Sequence, residues 1–233
     1  DEIVGNGLCM GCGICRSVLG ADVIEASLEA DGLERPRERR PMSAAERATL
    51  NAICPGVSVS FRPPEPGSHH DPMWGAIRSI TRGYASDSEI RFRGATGGVL
   101  TALALHILET GKADFIMHLA ADPERPMLSR PHRSFTRADV LEAAGSRYTA
   151  SAPLTAIMET LDEGRPFAFV GKPCDVTALE SLSRRDSRVN ELCRYRLTIV
   201  CGGFSELQKF GDQLEGWGIA PEEVSRFSYR GNG

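Results

Sequence analysis

The residues of this 233-residue chain best able to do chemistry are its seven cysteines. Cys9, Cys12 and Cys15 form a C-x-x-C-x-x-C run, and Cys54 is followed by Pro55. Three thiolates spaced three apart on a loop relieved by Gly11 and Gly13 can wrap three corners of an iron–sulfur cubane. A fourth thiolate must come from elsewhere, commonly as Cys-Pro, and Cys54 fits. No second N-terminal triplet exists, so Cys54 is expected to close the same [4Fe–4S] cluster rather than serve another. Structural zinc is the competing reading, although zinc modules usually present C-x-x-C pairs far apart; free thiols are the remaining one. Cys174, Cys193 and Cys201 form a separate late group. Cys174 opens an expected helix, whose dipole favours a thiolate, and Cys201 precedes Gly202-Gly203. Small buried hydrophobes, or one redox-active cysteine, are the plain readings of this group.

A second chemistry-bearing stretch is Arg93-Gly94-Ala95-Thr96-Gly97-Gly98-Val99-Leu100-Thr101. Paired glycines at a helix start bring backbone N–H groups close to an anion, and the helix dipole favours negative charge there. Thr96 and Thr101 add hydroxyls, and Arg93 can neutralise a phosphate. The pattern is neither G-x-G-x-x-G nor a lysine-containing P-loop, and an ordinary helix-capping turn is its plain alternative. Gly145-Ser146-Arg147-Tyr148 and Gly171-Lys172-Pro173-Cys174 share the flavour, each at a junction between elements, where open sheets place ligand sites.

These residues need a scaffold. Residues 1–61 read as a small cluster module with a short helix over Ile14–Leu19, a turn at Asp31-Gly32 between extended pieces, and a Ser43/Glu46 capping box opening a helix through Ile53. The arginines of Arg35–Arg40 read as a solvated face or as a docking patch for an acidic partner. Residues 62–75, rich in proline, read as a linker, with His69-His70 facing solvent. Residues 76–233 alternate: an extended Ala76–Ala85, a helix Val99–Thr110, a strand Ala113–Ala120, and helices Thr136–Ala144 and Pro153–Glu163. Strand Pro166–Val170, helix Cys174–Arg184, strand Arg196–Val200, helix Ser205–Glu215 and a closing strand Val224–Tyr229 follow. The fold class is α/β, with mixed α+β as the variant: a ferredoxin-like cluster module, then a helix-covered sheet domain. Trp74 and Trp217 read as core anchors. With 27 basic and 31 acidic side chains the net charge is −4, which argues against nucleic acid as the main partner. Val99–Leu108 is too short to cross a bilayer, no basic-then-apolar leader opens the chain, and the cytoplasm is the default address.

The chain resembles the coenzyme F420 hydrogenase/dehydrogenase beta-subunit family of iron–sulfur flavoproteins. Cys9-Met10-Gly11-Cys12-Gly13-Ile14-Cys15, Thr96-Gly97-Gly98-Val99-Leu100-Thr101-Ala102-Leu103, Gly171-Lys172-Pro173-Cys174, Val200-Cys201-Gly202-Gly203 and Tyr229-Arg230-Gly231 carry the resemblance, spread over nearly the whole chain. Chlorophyll-cycle 7-hydroxymethyl reductases and ferredoxin-dependent divinyl reductases are relatives within it. The resemblance implies FAD at the glycine turn, with Arg93, Thr96, Gly97, Gly98, Thr101, Ser146, Arg147, Tyr148, Gly171 and Lys172 as cofactor-binding candidates. It also implies a second cluster drawing on Cys174, Cys201 and, least securely, Cys193, completed by ligands from beyond Gly233 or by a group other than cysteine. His118 could then face the flavin as proton donor or be a core histidine. The implied activity passes electrons from a ferredoxin-like donor through the cluster and FAD to a small organic substrate. The alternatives are a subunit of a larger complex exchanging hydride with F420, or an electron-transfer module without flavin.

Overall fold

The thiol run lies between two short helices. In the computed structural model, which describes residues 2–29, 34–60, 66–149, 151–203 and 207–230, α1 (Glu2–Gly5) precedes the cysteine loop and α2 (Ile14–Leu19) ends it. A hairpin follows, β1 (Ile24–Leu28) antiparallel to β2 (Glu34–Glu38); the expected Asp31-Gly32 turn lies outside the described residues. α3 (Ala44–Ile53) starts with the reciprocal cap read from the sequence: Glu46 N–H donates to Ser43 Oγ at 3.2 Å and Ser43 N–H to Glu46 Oε2 at 2.7 Å, satisfying two orphan donors. Arg37 pairs with Glu29, Arg39 with Glu25, and Arg40 with Asp22 and Glu46. These arginines are a solvated face tied to the module's own acids.

Inside the expected linker, β3 (His69–Asp71) pairs antiparallel with β4 (Gly75–Ile77), the turn closed by Asp71 Oδ1 accepting from the Met73 and Trp74 N–H groups. Of the extended stretch expected over Ala76–Ala85, only β4 is strand, and it ends where β3 stops supplying ladder partners. The glycine turn is preceded by a helix, α4 (Ser88–Arg93), because Asp87 Oδ1 accepts from the Glu89 and Ile90 N–H groups at 2.8 and 3.2 Å and Ile90 is buried.

The remaining elements are α5 (Val99–Glu109), β5 (Phe115–Ala121), β6 (Ser129–Ser134), α6 (Arg137–Glu142), α7 (Ile157–Asp162), β7 (Phe167–Gly171), α8 (Pro173–Ser183), α9 (Arg188–Leu192), β8 (Cys193–Thr198) and α10 (Leu207–Gly216). The sheet order is β6-β5-β7-β8, with β5, β7 and β8 parallel and β6 antiparallel at one edge. Side chains alternate across it. Phe115, Met117, Phe167 and Phe169 meet Ile157, Leu161, Leu179 and Val189 on one face. Ile116 and Ala168 meet Ile90, Leu105, Ile107 and Val140 on the other. A mostly parallel sheet covered on both faces is an α/β layer architecture. Cys12, Ile14 and Ile53 belong to the first core, so the thiol module and the sheet share one interior.

β6 escapes the sequence reading because Ser-Arg-Pro-His-Arg-Ser lacks an apolar pattern, and Pro131 is tolerated on an edge strand. The closing strand expected over Val224–Tyr229 is irregular backbone held by side chains. Tyr229 Oη donates to Met127 O at 2.6 Å, and Phe210, Phe227 and Tyr229 pack edge to face. Trp74 and Trp217 are 68% and 64% exposed and anchor no core.

Candidate functional site

Cys9, Cys12, Cys15 and Cys54 line one cavity of about 100 Å³, walled by apolar side chains that include Ile24, Met42 and Leu50. The loop returns on itself through Gly13 at φ +81°, where an added Cβ would lie 2.5 Å from Thr155 Oγ1. Leu154 N–H donates to Cys12 O at 3.0 Å, fixing the loop against the start of the 154–157 turn. Burial first, and neighbouring thiol charge second, push the Cys12 thiol far up, while burial and Cys9 push Cys15 up to about 12. Burial also raises Cys54. Four thiolates here are costly by themselves, and a cationic metal core would reverse that balance. Among the described residues, no three His, Cys, Asp or Glu groups converge on a single ion. Four thiols lining one cavity are the donor set that a [4Fe–4S] cubane takes. The donor set therefore fits the cluster.

The glycine turn opens α5 without any side-chain cap. Gly98 takes φ +70°, and a Cβ there would lie 2.6 Å from Ile90 O, so α4 and α5 meet at this close approach only with glycine. Beside the turn is a cavity of about 770 Å³, lined by Arg93, Ser146, Arg147, Arg130, Arg226 and Arg230 among others. That volume lies within the range of cofactor pockets. Arg93 also pairs with Glu89 at 3.2 Å, and Arg230 Nη1 donates to Thr96 Oγ1 at 3.3 Å. Thr96, Gly97, Gly98 and Thr101 stand next to this cavity in sequence without lining it.

Arg147 spends its donors inside the protein: Nε to Ser129 Oγ at 3.1 Å, Nη2 to Pro126 O and Leu128 O at 2.6 Å each, and Nη1 to Phe227 O at 3.3 Å. It clamps the 225–230 segment beside the cavity. Tyr148 packs edge-on against Tyr229. Gly171 is forced small by the Phe169 ring, 2.6 Å from where its Cβ would be. Lys172 is bound to Asp175 and Ser151, so neither Gly171 nor Lys172 lines the cavity.

His118 is buried, hydrogen-bonded to Ser134 Oγ at 2.7 Å, and burial together with His132 lowers its pKa to about 4. It is a core histidine. His132, its cross-strand neighbour, lines the large cavity, and its buried Nε2 has no hydrogen-bond partner among the described residues. Sequence reasoning missed it with the rest of β6. Cys174 lies in the first turn of α8, and the charge of Cys201 reaches it. Cys193 does not join them. It starts β8 opposite Phe167, is 4% exposed and sits in the first core. A six-residue strand spans roughly 16 Å, which separates Cys193 from the loops at the far ends of β7 and β8. It is a buried small hydrophobe.

Comparison with known proteins agrees with this layout. Residues 80–159 match the N-terminal profile of the coenzyme F420 hydrogenase/dehydrogenase beta subunit, and residues 164–233 match its C-terminal profile. An uncharacterised protein of Methanocaldococcus jannaschii is 23% identical over 97% of this chain and 68% of its own length. The coenzyme F420 hydrogenase subunit beta of Methanosarcina barkeri is 30% identical over 38% of this chain, and the coenzyme F420-dependent sulfite reductase of M. jannaschii 26% over 78%. The chain spans 30% and 26% of those two proteins. A chain of the F420-reducing [NiFe] hydrogenase complex of M. barkeri superposes with a TM-score of 0.53 at 23% identity, covering 63% of this chain and 52% of that one. The mixed α/β fold is thus shared with that chain. No helix among the described residues is long and apolar enough to cross a membrane. With both halves of the subunit's profile matched in order along one continuous sheet domain, this chain belongs to the coenzyme F420 hydrogenase/dehydrogenase beta-subunit family.

Proposed function

We propose that the chain is the beta-type redox subunit of a larger complex that exchanges hydride with coenzyme F420. In this reading, Cys9, Cys12, Cys15 and Cys54 hold a [4Fe–4S] cluster and the arginine-lined cavity holds FAD. When bound, the cluster supplies one-electron steps and the flavin a hydride, the combination that joins a one-electron partner to a two-electron carrier. The observation that carries the reading is the gathering of four thiols around one apolar cavity in a chain of this family.

The protein's own groups then have defined work. Arg93 and Ser146, on the cavity wall close to the uncapped start of α5, would hold the ligand's phosphates. Arg147 keeps the 225–230 segment in place. His132 contributes to the wall of the same cavity from β6. Ile24, Met42 and Leu50 cover part of the thiols' surroundings and reduce the access of water there.

The test is anaerobic purification with co-expressed partner subunits, followed by iron, sulfide and flavin quantitation and optical assay of F420 reduction. About four irons and one FAD per chain are expected. Iron near eight would call for a second site using Cys174 and Cys201. Reduction of an organic substrate by ferredoxin alone would favour the stand-alone reductase, and iron-free, colourless protein would overturn the proposal.

A further inference from the structure

We infer that Lys172 and Asp175 form a buried charge pair that sets the reduction potential of the cluster on Cys9, Cys12, Cys15 and Cys54. The inference rests on the cluster reading above. Asp175 is fully buried and the Lys172 side chain is 15% exposed, with Nζ 2.9 Å from Oδ2. Asp175 also accepts the Lys172 backbone N–H at 2.9 Å, and Lys172 Nζ donates to Ser151 Oγ at 3.0 Å. Capping α8 does not require this ammonium: Ser43 with Glu46, and Thr136 with Asp139, cap α3 and α6 using a hydroxyl and a carboxylate. Burying both charges costs desolvation that a cap alone would not incur.

The location explains the expense. Ser151 begins the segment whose next residues close the thiol cavity. Ala152 and Thr155 line it and pack against Gly13, and Leu154 N–H holds Cys12 O. Ser151 itself faces the thiol loop, its carbonyl oxygen 3.8 Å from where a Cβ on Gly11 would lie, so the residue that holds the ammonium borders the cysteine run. Reducing a cluster adds one negative charge, which a nearby carboxylate disfavours and a nearby ammonium favours; in a buried site such fields are weakly screened. Lys172 and Asp175 are positioning residues here, acting on the cluster through its thiolates' surroundings.

The two halves of the pair must therefore act in opposite directions. EPR-monitored redox titration of the whole protein, following the signal that Cys54→Ser abolishes, reads this directly. Asp175→Asn, nearly isosteric, is expected to raise the midpoint potential, Lys172→Gln to lower it, and Lys172→Arg to restore it. Ser151→Ala removes a hydrogen bond but no charge and is expected to leave it in place. Iron content confirms that each variant is loaded; if Asp175→Asn loses its iron, the contrast between Lys172→Gln and Ser151→Ala decides. Charge variants that keep four irons yet do not shift, or shift the same way, overturn the inference. A wild-type protein without iron overturns the cluster reading instead.

Discussion

A glycine and a histidine show how single residues bear on this site. Gly13 is held at φ +81° with Thr155 and Ala152 within 3.0 Å of any added Cβ. Alanine there faces a left-handed backbone costing about 1–2 kcal/mol and a collision with the wall of the thiol cavity. Gly13→Ala is expected to lose most of its iron on anaerobic purification, while Gly5→Ala, with open space around it, should keep a full complement. His118 predicts a pH dependence. Its folded pKa is lowered to about 4 from 6.5, so the unfolded chain takes up the proton first as pH falls. Stability is whole above pH 6.5 and declines through the interval down to pH 4, by up to about 3 kcal/mol. Unfolding midpoints at pH 7 and pH 5 should differ less in His118→Asn than in the wild type. The C-x-x-C-x-x-C spacing was legible residue by residue because cluster ligation is written in local spacing. The isolation of Cys193 was not, since parallel strand pairing alone puts it at the wrong end of the sheet.

Among the elements, α4 and α5 show a junction that dictates its own glycines. Gly98 combines φ +70° with a Cβ position 2.6 Å from Ile90 O. Gly98→Ala should lower thermal stability by several kcal/mol on the strength of strain plus overlap, and the flavin-to-protein ratio should fall with it. Asp87→Ala removes the cap of α4 and is expected to cost about 1 kcal/mol, read as a shifted denaturation midpoint with flavin retained. Helices α2 and α3 and strands β5 and β7 follow from the sequence because their caps and apolar runs are local. β4 and the 224–229 segment defeat that reading: whether an extended stretch becomes strand depends on a partner, and Val224–Tyr229 finds side chains where a ladder was expected. α4, beyond the stretch expected to be extended, is decided by Asp87 and by burial of Ile90.

At the scale of the whole molecule, one core ties the cluster to the sheet. Ile53, fully buried one residue before Cys54, shares its cluster of apolar side chains with Phe115 and Phe167. Ile53→Ala is expected to destabilise the protein by about 2–5 kcal/mol and to reduce iron occupancy and sheet-domain protease resistance together; loss of iron alone would show an independently stable module. By itself the sequence determined the thiol spacing, the capped helices and the alternation that makes an α/β sheet, because these depend on residues near one another along the chain. Only tertiary structure decided that β6 brings His132 to the large cavity, that Arg147 is spent as a clamp, and that Lys172 and Asp175 lie buried behind the thiol loop. Each of those facts is a contact between distant segments, and the free energy that selects such contacts comes from burial and charge pairing that no local pattern records.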